Sequence, residues 1–289
     1  MSARVAVATD SSSCLSPELA LEWGIGVVPL QVIIDDEAFS EGSDVSPQLV
    51  LVALVSGRKV STSQPGPEAL LVAAQEAARK GAEHLVFVSL SGAISGTAQA
   101  MEAAAARAEL PVTVVDSRTV ALASGFAALS AAAVAREGGS ADDVVAEAQR
   151  ASRDSLCVFT VDSLDYLRRG GRIGPAVAAV GRALGVKPEL GMVEGQVASM
   201  ARHRSTATAR RAMLDRLAAK AGTMRCPMMG IMTMPGDDAL AQEARAALAT
   251  RGDWPVVDAS LSAALAAHGG PGTLAVVAVD AHPSVAASL

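Results

Sequence analysis

One local order recurs along the first half of this chain: a short β-branched run, a loop rich in hydroxyl side chains, and a helix-forming stretch. Residues 5–8 are such a run, residues 9–13 read Thr-Asp-Ser-Ser-Ser, and a helical pattern follows with Pro17 near its start. Residues 84–89 repeat this order before the polar loop 91–97. Strands that alternate with helices in this way predict a parallel sheet with helices on its faces.

The pattern changes after about residue 155. A stretch with Glu194-Gly195 at its centre predicts a β-hairpin, which is a feature of antiparallel pairing. With 289 residues the chain is long enough for two medium-sized domains. We therefore expect an α/β protein with two domains: residues 1–155 with a parallel sheet and flanking helices, and residues 156–289 with a mixed sheet. The boundary is approximate, and the domains can exchange segments.

Three apolar runs affect the expected fold. Residues 27–34 read as a single strand. Residues 119–135 are uncharged but consist mostly of Ala, Ser and Gly, so a buried helix is expected there rather than a membrane span. Residues 259–279 are interrupted by a His-Gly-Gly-Pro-Gly turn that a helix spanning lipid would not tolerate. Since the apolar stretch at the N-terminus is also too short for a secretory signal, we expect a cytoplasmic protein.

The composition excludes several classes of protein. Apolar residues make up 51% of the chain and charged residues 19%, so it is not intrinsically disordered. The net charge of −6 and the seven aromatic side chains (4 Phe, 2 Trp, 1 Tyr) do not fit a nucleic-acid-binding protein. Cys14, Cys157 and Cys226 are far apart in the sequence and form neither a disulfide pattern nor a zinc motif. No metal site and no cofactor are expected.

Three hydroxyl-rich loops are candidates for binding an anion. They cover residues 9–13, 61–65 and 91–97, and each precedes a predicted helix. Hydroxyl donors beside the N-terminal end of a helix suit a carboxylate or a phosphate. The alternative interpretation is that these Ser and Thr residues only cap helices.

Two further features are compatible with an anionic ligand. His268 lies in an uncharged stretch directly before the Gly-rich turn, where its imidazole could donate to an anion, although a lone histidine in apolar surroundings is more often a core residue. Several arginines suit bidentate contacts to phosphate or carboxylate; Arg172 lies in the Gly-rich turn at residues 170–175, and a basic cluster spans residues 202–211. That cluster could equally be a solvated basic face. The standard nucleotide-binding, hydrolase and metalloprotease motifs are absent.

Taken together, the ordered motifs resemble the DegV family of bacterial fatty-acid-binding proteins. The motifs lie in family order between residues 9 and 272. They are Thr9-Asp10-Ser11, Val27-Val28-Pro29-Leu30, Thr62-Ser63-Gln64-Pro65, Ser95-Gly96-Thr97, Asp116-Ser117, Leu167-Arg168-Arg169-Gly170-Gly171-Arg172-Ile173, Val186-Lys187-Pro188 and His268-Gly269-Gly270-Pro271-Gly272. Two departures are Ala98, where the family usually has Tyr, and Glu41, where it usually has Asp.

The resemblance implies a carrier without a catalytic site of its own. It would bind a long-chain fatty acid such as palmitate or oleate between two α/β domains and present it to a separate kinase, which makes the acyl phosphate for phospholipid synthesis. Thr62, Ser95 and His268 would hold the carboxylate, together with their motif neighbours Ser63, Gly96 and Thr97. Arg172 and Arg204 would be candidates for contacting the phosphate or the kinase. The protein would have no transmembrane segment and would touch a membrane surface only transiently.

Two other classes of function stay open on the sequence. The DegV fold also resembles the substrate-binding part of dihydroxyacetone kinases, so a small phosphorylated or keto substrate is an alternative to a lipid. A regulatory protein without any ligand is the other alternative. The acyl chain length, the degree of unsaturation and the oligomeric state are not encoded in any motif.

Overall fold

The structure, a computed structural model, describes residues 4–173 and 186–288. Its first sheet is fully parallel, with the order β2-β1-β6-β7. The alternation of strand, polar loop and helix predicted this sheet correctly. Its strands are β1 (Val5–Asp10), β2 (Gly26–Val28), β6 (His84–Ser89) and β7 (Val112–Asp116).

The second sheet is mixed and has the order β10-β9-β8-β13-β11-β12. All its neighbours are antiparallel except β11 and β12, which run parallel. The predicted hairpin joins β9 to β10 through Glu194 and Gly195. The α/β class with a parallel and a mixed sheet is thus confirmed, whereas the boundary near residue 155 stays a prediction. The strands are β8 (Leu156–Thr160), β9 (Lys187–Val193), β10 (Gln196–His203), β11 (Pro227–Thr233), β12 (Val256–Ser260) and β13 (Leu274–Asp280).

A third, antiparallel sheet corrects the prediction of one strand over residues 27–34. The run breaks at Pro29, which has no backbone N–H to pair, and at Leu30, whose N–H bonds to Ser11 Oγ at 2.9 Å. The residues before the break join the parallel sheet and those after it start the new one, in the order β4-β3-β5. Its strands are β3 (Gln31–Ile34), β4 (Glu37–Ser40) and β5 (Val60–Ser63).

Five of the helices begin at a serine cap. Ser16, Ser46, Ser140, Ser205 and Ser262 each accept a backbone N–H at a helix start, and Ser140 forms a capping box with Asp143. The helices are α1 (Pro17–Trp23), α2 (Pro47–Val55), α3 (Pro67–Arg79), α4 (Thr97–Ala105), α5 (Leu122–Arg136), α6 (Ala141–Arg153), α7 (Asp165–Arg169), α8 (Thr206–Ala221), α9 (Asp238–Ala249), α10 (Ala263–Gly269) and α11 (Pro283–Ala286).

Helix α5 lies at the centre of the molecule and confirms the predicted buried helix. It packs against β1 of the parallel sheet and β13 of the mixed sheet, and its residues 122–133 are all buried. Small side chains make this approach possible: a Cβ on Gly125 would meet the backbone oxygen of Ser13 at 2.7 Å. Residues 259–279 form α10 and β13, as expected for core. None of the described helices is long and apolar enough to cross a membrane.

Candidate ligand-binding cavity

An apolar cavity lies where all three sheets and α10 meet. It encloses about 850 Å³ of space free of protein atoms, its open mouth included. The lining is mainly aliphatic, with a few polar side chains. It consists of Ser12, Leu30, Thr62, Ser63, Leu90, Ile94, Ser95, Val120, Ala121, Cys157, Phe159, Leu167, Arg172, Met192, Val197, Leu261, Ala264, Leu265, His268, Gly269, Thr273 and Ala275.

Thr62 and His268 meet at the wall of this cavity. Thr62 is in β5, where it pairs with Val32, and His268 is in the last turn of α10. Thr62 Oγ1 lies 2.7 Å from His268 Nε2, although the two residues are 206 positions apart. The fold therefore brings together two residues that the sequence motifs only name separately.

The His268 imidazole is neutral at neutral pH. Burial, and to a smaller extent the nearby Arg172 guanidinium, lowers its pKa to about 4. Its Nδ1 atom is buried and has no hydrogen-bond partner among the described residues. Because a buried N–H without an acceptor is rarer than an acceptor without a donor, we assign the proton to Nε2. The ring then donates to Thr62 Oγ1, which leaves the Thr62 hydroxyl proton free to donate into the cavity.

Gly170 makes room for this ring. A Cβ at Gly170 would collide with His268 Nδ1 and Cε1, so any larger residue would displace the imidazole. The turn after α10 shows the reverse arrangement. A Cβ on Gly270 in this turn would collide with the ring of Tyr166, which is in α7. The segment containing α7 and the turn after α10 are thus interlocked, and this fixes the position of His268.

Ser95 supplies the second hydroxyl of the site. Its Oγ lies 2.9 Å from Thr97 Oγ1 and accepts the Thr97 backbone N–H at 3.3 Å. Thr97 is fully buried and can donate to Ser95, which leaves the Ser95 proton free. A Cβ at Gly96 would collide with the Gln64 amide, so the position next to Ser95 favours glycine.

Arg172 joins the loop that carries Ser95 to the turn that holds His268. Its Nε donates to Ile94 O at 3.2 Å and its Nη1 to Gly170 O at 2.6 Å. Arg172 also lines the cavity, so its positive charge lies beside the loop that carries Ser95 and acts on His268. Of the Gly-rich turn predicted at residues 170–175, Gly174 and Pro175 lie outside the described residues.

The predicted site residues fall into three groups. Thr62, Ser63, Ser95, His268 and Arg172 all line the cavity. Gly96 and Thr97 lie directly behind Ser95 and support it. Arg204 is exposed between β10 and α8 and does not line the cavity. The polar loop predicted at 61–65 is partly wrong, because β5 includes residues 61–63.

Two buried carboxyl groups behind the cavity wall were not predicted as site residues. Asp10 accepts hydrogen bonds from Ser12 Oγ at 2.5 Å and Leu90 N at 2.8 Å, and burial raises its pKa to about 6. Glu41 accepts from Ser11 Oγ at 2.5 Å and from Ala264 N at the start of α10 at 3.2 Å. Burial also raises the pKa of Glu41. Both groups have hydrogen-bond partners, so their contacts support the loops and α10.

The individual apolar residues of the lining were also not predicted, although one signal was available. Leu90 and Leu261 directly follow strands β6 and β12, and Leu30 follows β2 by two positions. Ligands in open α/β sheets bind outside strand ends, so large aliphatic residues at these positions indicate an apolar ligand. Within the described residues no cluster of His, Cys, Asp and Glu could hold a metal ion.

Comparison with known proteins assigns the chain to a family. The model of the DegV family, described as an uncharacterised protein family, matches residues 4–281. The chain belongs to the DegV family. A DegV domain-containing protein of Streptomyces coelicolor is 38% identical over 280 residues, which covers 96% of this chain and 99% of that protein.

Solved structures of DegV proteins have the same fold. A DegV family protein from Thermus thermophilus, reported as binding fatty acid, is 33% identical and superposes with a TM-score of 0.87 over 96% of this chain and 99% of its own. DegV from Bacillus subtilis, described as a fatty acid binding protein, is 26% identical with a TM-score of 0.88 over the same shares. The resemblance seen in the sequence motifs is therefore confirmed at the level of family and fold.

Proposed function

We propose that this chain binds a long-chain fatty acid, such as palmitate or oleate, with its carboxylate at Thr62 and Ser95 and its tail in the apolar cavity. One observation carries the proposal. Each of these hydroxyls already has a protein partner that can donate to it, His268 Nε2 for Thr62 and Thr97 for Ser95. Both hydroxyl protons are therefore available, and both residues line the same apolar cavity.

The charges in the site suit a carboxylate. A carboxylate removed from water needs hydrogen bonds and a compensating charge. The two hydroxyls supply donors, and Arg172 supplies the positive charge without depending on His268, which is neutral. Among the described residues, Arg172 Nη2 has no acceptor, so it too can donate to the ligand.

The acyl tail supplies most of the affinity in this proposal. Burying a CH₂ group contributes about 0.8 kcal/mol, so a chain of palmitate length gains far more than a head group with a few hydrogen bonds. Phe159, Met192 and Leu265 are among the side chains that would contact it. The fatty-acid-binding relatives from Thermus thermophilus and Bacillus subtilis support this ligand class.

Native mass spectrometry of freshly purified protein tests the proposal. We expect an adduct with the mass of a fatty acid, which solvent extraction then identifies. In titrations with oleate, Thr62→Val and Ser95→Ala should each weaken binding by about 1–3 kcal/mol, because each removes a donor to the carboxylate.

The chain offers a matched control. Thr113 Oγ1 lies 2.8 Å from His84 Nε2, so Thr113→Val also removes a threonine–histidine bond, but away from the cavity. It should leave oleate affinity unchanged. A protein that carries no fatty acid and binds neither oleate nor palmitate would refute the proposal. Protection against heat by a small keto or phosphorylated compound would then favour the dihydroxyacetone-kinase-like alternative.

We further propose that the bound fatty acid is presented to a separate fatty acid kinase subunit, which forms the acyl phosphate for phospholipid synthesis. The support is that Thr62 and Ser95, which would hold the head group, lie at the wall of a cavity with an open mouth. The protein would act in the cytoplasm, where ATP is available, and touch membranes only transiently.

Arg204 gives a test of the kinase step that is separate from ligand binding. It is exposed and lies outside the cavity. With the kinase subunit and ATP, Arg204→Ala should form acyl phosphate more slowly while it retains its fatty acid. Unchanged transfer would exclude Arg204 from kinase docking, and acyl phosphate formed without the kinase would contradict the carrier role.

A further inference from the structure

A second concave site lies between α8 and α9, on a face of the molecule that the fatty-acid proposal does not use. Its α8 wall consists of Ala207, Arg210, Arg211 and Leu214, which have the spacing of one helical face. The α9 wall has the same spacing. It consists of Leu240, Glu243, Ala244 and Ala247.

Two arginines stand on the α8 wall of this site. Positions that face a neighbouring helix are normally apolar, yet Arg210 and Arg211 occupy the middle of this wall. The groove encloses about 970 Å³, its open side included. Leu214, Leu240 and Leu274 contribute apolar surface to it, so the groove combines charge with an apolar surface.

The hydrogen-bonding capacity of the α8 arginines is largely unused. Arg210 Nη2 donates to Gly272 O at 3.3 Å, but its Nε is buried without any partner. Arg211 is exposed and has no hydrogen-bond or ion-pair partner among residues 4–173 and 186–288. A buried donor without an acceptor is costly and is usually satisfied by a water or an ion.

The charge in the groove has the opposite sign to that of the whole chain. Arg251 also lines the groove and is paired with Asp215 at 2.7 Å. Glu243 is the acidic residue in the lining. Even with these two acids counted, three arginines leave a positive site on a chain whose net charge is −6. Such a site attracts anions.

We propose that this groove binds a phosphoryl group, held by Arg210 and Arg211, on a ligand whose apolar part lies against Leu214, Leu240 and Leu274. Guanidinium groups form paired hydrogen bonds to phosphate oxygens, and Arg210 Nη1 and the exposed Arg211 guanidinium are donors that have no acceptor among the described residues. The group could belong to a soluble phosphate ester or to a phospholipid headgroup, since the recognising chemistry is the same. The site shares no lining residue with the fatty-acid cavity.

Titration of the whole protein with pyrophosphate, followed by ¹H–¹⁵N NMR, tests the site. We expect saturable shifts in α8 and α9 and at the Arg210 Nε–H. A parallel arm measures flotation with vesicles of phosphatidylcholine containing phosphatidic acid. Tight vesicle binding with weak pyrophosphate binding would identify a lipid headgroup, and the reverse would identify a soluble ester.

Charge variants within the groove make the test specific. Arg210→Gln and Arg211→Gln should each lower pyrophosphate affinity about tenfold, as expected for losing a charged hydrogen bond. Glu243→Gln should raise affinity, because it removes the opposing charge without removing a donor. Because Glu243→Gln should increase the affinity for pyrophosphate, it tests the proposal even if an arginine variant folds poorly.

Arg245→Gln is the matched control. Arg245 is also in α9, but its guanidinium bonds to Asp258 and to Val256 O and does not line the groove. Its loss should leave affinity unchanged. The proposal is overturned if pyrophosphate and vesicles both fail to bind saturably, or if Arg245→Gln weakens binding as much as Arg210→Gln does. Fatty-acid occupancy should be the same in all four variants.

Discussion

The molecule contains two threonine–histidine pairs with nearly the same geometry and different surroundings. Thr62 Oγ1 lies 2.7 Å from His268 Nε2, and Thr113 Oγ1 lies 2.8 Å from His84 Nε2. The second pair joins neighbouring strands, β6 and β7, only 29 positions apart, whereas the first joins residues 206 positions apart. The Thr62–His268 pair lines the cavity, and its Nδ1 atom has no partner.

This difference shows that the hydrogen bond itself does not make a binding site. The Thr113–His84 pair follows from strand pairing, since β6 and β7 are adjacent in the parallel sheet. The Thr62–His268 pair depends on two separate supports, which are the interlock at Gly170 and the contact of Glu41 with α10. The β9–β10 hairpin closes another side of the cavity. Each support can be removed by mutation, and the Thr113–His84 pair then serves as an internal reference.

The largest expected effect is on stability as a function of pH. Since the pKa of His268 falls from 6.5 to about 4 on folding, the unfolded state takes up a proton first as the pH drops. Stability is therefore complete above pH 6.5 and is lost toward pH 4, by about 3 kcal/mol from this group. His268→Gln lacks this group. Between pH 7 and pH 4 its free energy of unfolding in urea should therefore rise relative to that of the wild type by about 3 kcal/mol.

Asp10 acts in the opposite direction over a similar range, so the comparison must be made between variant and wild type. Its pKa is raised from 3.8 to about 6, and the folded state therefore gains stability as the pH falls through this window. His84→Gln, measured in the same way, gives the value for a histidine with the same threonine bond outside the cavity. If His268→Gln and His84→Gln gained the same unfolding free energy relative to wild type, the two threonine–histidine pairs would not differ in their effect on stability.

The next effect concerns the space for the imidazole. In Gly170→Ala the new Cβ would collide with His268 Nδ1, so the ring must move away from Thr62. Overpacking of this kind typically costs 1–3 kcal/mol, and we expect oleate affinity to fall by about tenfold to a hundredfold. NMR signals of His84 and Thr113 should not change.

Gly222→Ala is the control for this glycine. A Cβ there would meet Ala218 O and Ala219 O at an ordinary 3.6 Å. It should bind oleate like wild type. If Gly170→Ala also kept full affinity, the position of His268 would have no part in ligand binding.

A smaller effect is expected from Glu41, which supports α10 from its N-terminal end. The buried carboxylate accepts from Ser11 Oγ and Ala264 N, and Glu41→Gln replaces one acceptor oxygen by an NH₂ that cannot accept either bond. We expect oleate affinity to fall about fivefold, equivalent to about 1 kcal/mol. Glu37→Gln, at the exposed start of strand β4, which ends directly before Glu41, should have no effect. Equal affinities for the two variants would show that α10 is positioned without Glu41.

The parts of this molecule that follow local rules could be predicted from the sequence. The parallel sheet and the buried helix α5 both depend on neighbouring residues, and both were predicted correctly. Thr62, Ser95 and His268 were recognised as candidates because hydroxyls and a histidine stood in loops beside strand or helix ends. Their convergence on one cavity is consistent with that reasoning.

Features that depend on distant parts of the chain were missed. The three-stranded sheet is built from short strands on both sides of α2, and Pro29 divides a run that looks continuous in the sequence. The role of Gly170 depends on a ring 98 positions further along, and the open groove at Arg210 depends on which helix face turns toward α9. Local periodicity contains none of this information.

The smallest effect is expected at the hairpin that closes one side of the cavity. Ser91 Oγ donates to Gly195 O at 2.7 Å and Arg118 Nη2 donates to Glu194 O at 2.9 Å, so the hairpin tip is attached to the loops of the parallel sheet. The hairpin also carries Met192 and Val197, which line the cavity. Ser91→Ala should lower the unfolding free energy by about 1 kcal/mol.

The more informative readout for Ser91→Ala is the rate at which a fluorescent fatty acid is released. Losing one attachment should raise this rate about twofold to fivefold with little change in the association rate, because weakening a complex that has already formed acts mainly on its dissociation. Ser199→Ala, on the same hairpin but bonded only to Ala201 O, should release at the wild-type rate. If both variants release alike, the hairpin does not retain the ligand, and the Thr62–His268 side alone would hold it.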